Sequence, residues 1–147
     1  MSAAQFLIDT SALVPLVLQK PDAVVWQRVA AAGLIAFCPI TELEFCYSAR
    51  SMADRELLVE QLRILFCWEP VDDRAFQRAW EVQAELTRRG QHRGAGPVDL
   101  VVAATAELRG LTLLHRDRDF ECIAAVTGQP HRRLGAEVGG EARGPSS

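Results

Sequence analysis

The stretch FLIDTSA, Phe6–Ala12, places three large apolar residues directly before an aspartate, two hydroxyls and a small helix former. The apolar run reads as a short buried strand, Gln5 to Ile8. Thr10 and Ser11 are helix-start residues. Asp9 therefore sits at the carboxyl end of a strand and the entrance of a helix. Alone it is as well explained by capping that helix as by chemistry. The choice depends on whether other acids reach the same edge of the same sheet.

Working outward, strand-like and helix-like stretches alternate. Ser11–Leu18 is apolar, is interrupted by Pro15, and predicts a short helix. Asp22 is placed to cap a helix over Ala23–Ala32, with Gly33 as its stop. Leu34–Phe37 predicts a strand, and Pro39 opens the helical segment ITELEFCYSAR. Leu57, Leu58, Leu62 and Leu65 recur at helical spacing within Asp54–Phe66. Cys67–Val71 reads as a strand, and a longer helix runs from Asp72 or Asp73 to about Arg89. The glycine-rich basic loop RRGQHRGAGP, Arg88–Pro97, leads into PVDLVVAATAEL, a helix stopped by Gly110. Thr112–Leu114 reads as a strand, Asp119–Val126 as the last helix, and His131–Leu134 as a closing strand. From Gly135 the chain is too poor in apolar residues to pack, which predicts a disordered tail over 135–147 behind one folded domain, 1–134. The alternation argues for a layered α/β domain with a mainly parallel sheet.

In a parallel sheet, Asp9 follows the first strand and Asp117 follows LTLLH, so both belong to the carboxyl edge, where open α/β sheets bind ligands. A crossover helix runs antiparallel to its strands and starts at that edge. This brings Asp99, in the first turn of its helix, and Glu44, about one turn into its own, to the same rim, with Asp119 beside Asp117. Each acid has an ordinary alternative. Asp9 and Asp119 can be caps, Asp117 a turn, Asp99 a partner of the helix dipole, Glu42 and Glu44 a solvated face. Clustered carboxylates repel and raise one another's pKa, so their convergence implies a cation among them. Oxygen donors without histidine or thiolate suit Mg²⁺ or Mn²⁺, and such an ion beside a phosphate supports phosphodiester chemistry.

Composition narrows the classes. Length and a hydrophobic share of 49% suit one domain with a full core. The net charge of −3 argues against coating nucleic acid by bulk charge, without excluding a local basic groove. Fifteen of the sixteen basic residues are arginine and Lys20 is the only lysine. Cys38, Cys46, Cys67 and Cys122 form no CxxC pair, and the three histidines sit at no zinc-finger spacing, so the thiols read as small core residues of a reducing compartment. No segment has the length of a membrane span, and the N-terminus lacks the basic start of a signal peptide, so a cytoplasmic protein is expected.

LIDTSAL (Leu7–Leu13), ITELE (Ile40–Glu44) before SAR, GPVDLVVAATA (Gly96–Ala106) and LLHRDRDFECIA (Leu113–Ala124) together resemble the PIN domain, and more narrowly the VapC-type toxins of toxin–antitoxin pairs. The resemblance covers about residues 5–134. It implies a three-layer α/β/α sandwich and a metal-dependent endoribonuclease using Mg²⁺ or Mn²⁺. It also implies an RNA substrate such as transfer or ribosomal RNA, a cognate VapB-type antitoxin and a homodimer. Residue by residue, the family's acids fall on Asp9, Glu44 (rather than Glu42), Asp99 and Asp117, with Asp9, Asp99 and Asp117 as metal ligands and Asp119 as the next aspartate of the DxDF pattern. His115 stands where many relatives carry Thr or Ser, and reads as a packing or hydrogen-bonding residue.

Ser11 is a candidate hydrogen-bond partner for an acid or phosphate, as well as a plain helix-start residue. Arg93, with Arg88, Arg89 and His92, and Arg116 and Arg118 around Asp117, are candidates for holding an RNA backbone; solvated surface charge is the alternative for each. Trp26, Trp68 and Trp80 read as core or interface residues, and Val14–Leu18 and Cys46–Tyr47 as candidate contacts for a second copy or a partner. A phosphatase of the haloacid dehalogenase kind is disfavoured by Ser11 where its second aspartate belongs, and a response-regulator receiver by the lack of its paired early acid and late lysine. The reading from another class is a PIN-like module that binds RNA or protein without cutting.

Overall fold

The computed structural model describes residues 3–135. The predicted tail from Gly135 onward thus falls almost wholly outside the described residues. Five strands form one sheet: β1 (Phe6–Ile8), β2 (Ile35–Phe37), β3 (Cys67–Trp68), β4 (Thr112–His115) and β5 (His131–Arg133). Their order is β3-β2-β1-β4-β5, and every pairing is parallel. The chain moves outward from β1 through β2 to β3, then returns to lay β4 on the other side of β1. The β1/β4 junction is therefore the switch point, where helices leave to opposite faces and a crevice opens at the carboxyl edge.

Among the described residues seven α-helices cover the sheet: α1 (Thr10–Val17), α2 (Val24–Ala31), α3 (Pro39–Cys46), α4 (Met52–Leu65), α5 (Arg74–Arg88), α6 (Pro97–Leu108) and α7 (Arg118–Thr127). The period of two along each strand sorts the core into two layers. Ile8, Ile35, Phe37 and Leu114 point toward α1, α2 and α4, packing with Leu13, Leu16, Trp26 and Leu62. Leu7, Ala36 and Leu113 point the other way, onto Val82 and Leu86 of α5, Leu100 and Ala103 of α6, and Phe120 and Ile123 of α7. This is the α/β/α sandwich.

Several boundaries differ from the sequence expectation for physical reasons. α1 itself lies within one residue of its expected bounds and runs through Pro15, since proline removes a single intrahelical donor and Leu13 and Leu16 are buried. Asp22 does not cap α2: a three-residue 3₁₀ turn, Pro21–Ala23, precedes that helix, and the Asp22 carboxylate pairs with Arg116 at 2.9 Å. α4 begins at Met52 because Ser51 accepts the Asp54 N–H at 3.0 Å. β3 is cut to two residues at the sheet edge. In α5 the buried stripe is Ala75, Ala79, Val82 and Leu86, while Phe76 and Trp80 face outward. Of the three tryptophans only Trp26 is core; Trp68 and Trp80 are exposed. Cys46 is buried but Tyr47 is 92% exposed, so that pair divides between core and surface. All four thiols are free. Among the described residues no helix is long and apolar enough to cross a membrane.

Leu62 of α4 is fully buried in the core layer opposite the one packed by α6 and α7, the helices that carry Asp99 and Asp119. Leu62→Ala is expected to lower unfolding free energy by about 2–5 kcal/mol, read from urea titration, while leaving divalent-cation binding intact at low denaturant.

Candidate active site

Asp9 is 4% exposed. Its backbone N–H donates to the Leu114 carbonyl at 2.9 Å, carrying the β1–β4 ladder one residue past the strand. Its side chain caps α1, Oδ2 accepting the Ser11 N–H at 2.9 Å. Oδ1 is buried and has no hydrogen-bond partner among the described residues. Capping thus occupies one oxygen and leaves the other buried and unpartnered among the described residues. Burial raises the Asp9 pKa, the Ser11 and Thr10 hydrogen bonds oppose this, and the charge of Asp117 adds to the rise.

Asp99 is the third residue of α6, a helix opened by Pro97 after Gly96. Asp117 caps α7, its Oδ1 accepting the Asp119 N–H at 3.0 Å, and Asp119 lies in the first turn. Oxygens of Asp99, Asp117 and Asp119 lie within 4.8 Å of one another. Burial, then the charges of Asp9, Asp117 and Asp119, push the Asp99 carboxyl up to about 7. Four aspartates from three elements thus share one field at the switch point. Asp119 joins Asp99 and Asp117 in this trio, and Asp9 lies close enough for its charge to act on Asp99. Glu44 stands at the Asp9 side: Thr10 Oγ1 donates to its Oε1 at 3.1 Å, and burial followed by the Asp9 charge raises its pKa. Glu42 points elsewhere, with Oε1 3.6 Å from Arg63.

The pattern of the PIN domain matches residues 6–126. Ribonuclease VapC2 of Mycobacterium tuberculosis (strain CDC 1551 / Oshkosh) is 44% identical over 136 residues, covering 91% of this chain and 95% of that one. The chain belongs to the PIN-domain family of VapC ribonucleases. Ribonuclease VapC21 of the same strain is 46% identical over 98 residues, 67% of this chain and 71% of its own. The PIN fold is shared with a DNA-bound VapBC complex from Salmonella typhimurium, at a TM-score of 0.73 and 24% identity, over 89% of this chain and 98% of that one.

This PIN-domain site fits a hard divalent cation on its own chemistry. The donors are all carboxylate oxygens, one of them buried without a partner among the described residues, and the Asp99 carboxyl is pushed up to about 7 by burial and then by its neighbours' charge. The supporting residues are more specific than the sequence suggested. Ser11 Oγ accepts the Arg116 N–H at 2.9 Å, tying the start of α1 to the loop after β4. The Arg116 guanidinium is taken by Asp22, and Arg88 and Arg89 by Glu85. Arg93, in the 3₁₀ turn His92–Gly94, and Arg118 are exposed and make no ion pair among the described residues. His115 is fully buried, and desolvation followed by the charge of His131 lowers its pKa to about 4, so it is neutral. The partner role of His131 had no sequence signal, because it arises only when β5 is laid beside β4.

The Asp99 shift sets a pH dependence. Its folded pKa, about 7, lies above the ordinary 3.8, so the folded state binds this proton more tightly than the unfolded chain does. The resulting stability is fully present below about pH 3.8, declines as pH rises, and is lost through about pH 7. Asp9 and Glu44, also raised, act in the same direction. In EDTA, Asp99→Asn is expected to melt higher than the unsubstituted protein at pH 8 and to lose part of the decline between pH 4 and 7, as followed by circular dichroism.

Proposed function

We infer that this protein is a divalent-metal-dependent endoribonuclease, the toxin of a VapBC-type pair. The observation that carries the chemistry is the meeting of Asp99, Asp117 and Asp119 oxygens within 4.8 Å at the switch point, with Asp9, whose buried Oδ1 has no partner among the described residues, within their field. Membership of a family whose relatives are named ribonucleases supplies the substrate class. Asp9, Asp99 and Asp117, with Asp119, would hold Mg²⁺ or Mn²⁺. Such an ion, when bound, acidifies water and neutralises charge on a phosphodiester.

The remaining roles belong to the chain's own groups. Thr10 orients Glu44 at the edge of the cluster, where its raised pKa suits it to receive a proton from the attacking water. Arg93 and Arg118, free of ion pairs among the described residues, are the side chains we assign to the RNA backbone. Arg116 serves instead to fix its own loop through Asp22. The substrate class we favour is transfer or ribosomal RNA. A VapB-type antitoxin would silence the site, and a homodimer is the expected assembly. The exposed Leu43 and Tyr47, which with Glu44 line an open cavity of about 380 Å³, give a partner apolar anchorage beside the acids.

Asp99→Asn and Asp117→Asn are each expected to slow cleavage of a mixed transfer and ribosomal RNA substrate by at least about 100-fold in Mn²⁺, with folding retained. EDTA should abolish cleavage in the unsubstituted protein and added Mg²⁺ or Mn²⁺ restore it. Undiminished cleavage by either variant would refute the assignment, and metal-dependent RNA binding without any cut ends would favour a non-cleaving module.

A further inference from the structure

β4 ends on a fully buried histidine, and nothing in the chemistry above uses it. His115 Nδ1 accepts the Asp117 N–H at 3.2 Å. An acceptor nitrogen carries a lone pair, so the ring proton must be on Nε2. Nε2 lies 2.9 Å from His131 Nδ1 and therefore donates to it. That second bond needs His131 Nδ1 to be an acceptor in turn, which places the His131 proton on its Nε2. The ring centroids lie 5.2 Å apart with their planes inclined by 29°, an edge-to-edge spacing that suits a hydrogen bond between ring nitrogens, and the Phe120 ring lies 5.4 Å from His115. His131 is opposite Leu113 in the β4–β5 register, and Leu113 and His115 share a face of the sheet, so the contact follows from strand pairing.

The consequence falls on the loop that carries Asp117. Its two leading N–H groups are both held by side chains from separate elements: Arg116 N–H by Ser11 Oγ of α1, and Asp117 N–H by His115 Nδ1 of β4. Fixing an N–H fixes the peptide plane before the residue, and so the direction in which its side chain leaves. Only one tautomer of His115 does this, since a proton on Nδ1 would face the Asp117 N–H.

We propose that His115 and His131 form a tautomer-locked imidazole pair that positions Asp117 for cation binding through its backbone N–H. The inference rests on the metal-site reading above and assigns His115 as a positioning residue, with His131 holding it in the working tautomer.

Three variants of the full chain separate this from packing. His115→Phe keeps a ring and removes the acceptor. His115→Asn keeps an acceptor, Oδ1, near the position of Nδ1. His131→Leu removes the group that fixes the tautomer. Mn²⁺ affinity, read by electron paramagnetic resonance, is expected to fall about 10- to 100-fold in His115→Phe, to be largely restored in His115→Asn, and to fall in between in His131→Leu. Long-range ¹⁵N–¹H spectra of the unsubstituted protein should show His115 protonated at Nε2 and bare at Nδ1. Mn²⁺ bound as tightly by His115→Phe as by the unsubstituted protein, or as weakly by His115→Asn as by a folded His115→Phe, overturns the proposal. So does a proton on His115 Nδ1, a result that needs no variant to fold. Failure of the unsubstituted protein to bind Mn²⁺ at all would instead overturn the metal-site reading itself.

Discussion

The parallel pairing of β1 with β4 is the constraint on which the site depends. Phe6, Leu7 and Ile8 lie opposite Thr112, Leu113 and Leu114, and the Asp9 N–H extends the ladder to the Leu114 carbonyl. The two strands therefore finish level, and the residues just beyond them, Asp9 and Asp117, face one crevice. A slip of one residue would exchange Leu113 and Leu114 between the two core layers, so hydrophobic burial on both faces fixes the register. Apolar side chains far from any chemistry thus determine where the carboxylates meet.

That meeting opposes folding. Asp99 is held to a proton up to about pH 7 by burial and three neighbouring aspartates, and Asp9 and Glu44 are displaced in the same sense. A domain selected for stability alone would not bring these groups together without a counter-charge. Local bonds limit the damage without neutralising it. Ser11 and Asp119 N–H groups each take one carboxylate oxygen, and Thr10 takes one from Glu44. Every one of these donors is a helix-start group, so the caps of α1 and α7 serve local structure and the site at once.

The basic residues divide by geometry rather than by sequence neighbourhood. Arg116 and Arg118 flank the same aspartate, yet Arg116 turns to Asp22 while Arg118 stays free of ion pairs among the described residues. Arg88 and Arg89 are one helical turn from Glu85 and pair with it, whereas Arg93 lies beyond the helix in a 3₁₀ turn and makes no ion pair among the described residues. Long flexible cations go to the nearest carboxylate at the protein surface, and only those lacking one remain available to a phosphate.

Much of this was legible in the chain itself. The alternation of apolar runs with amphipathic ones specified a layered α/β domain, because periods of two and of 3.6 report which faces must be buried. Parallel crossovers then forced acids after strands and acids at helix starts onto one rim, which is why Asp9, Glu44, Asp99 and Asp117 could be named from spacing and family likeness. Tertiary structure alone decided the finer arrangement. It made Asp119 a member of the tightest trio, gave Asp22 to Arg116, turned Trp80 outward, and joined His115 to His131. Each of these depends on contacts between segments distant in sequence, and a side chain's partner is set by which element packs against it, a choice that no local pattern encodes.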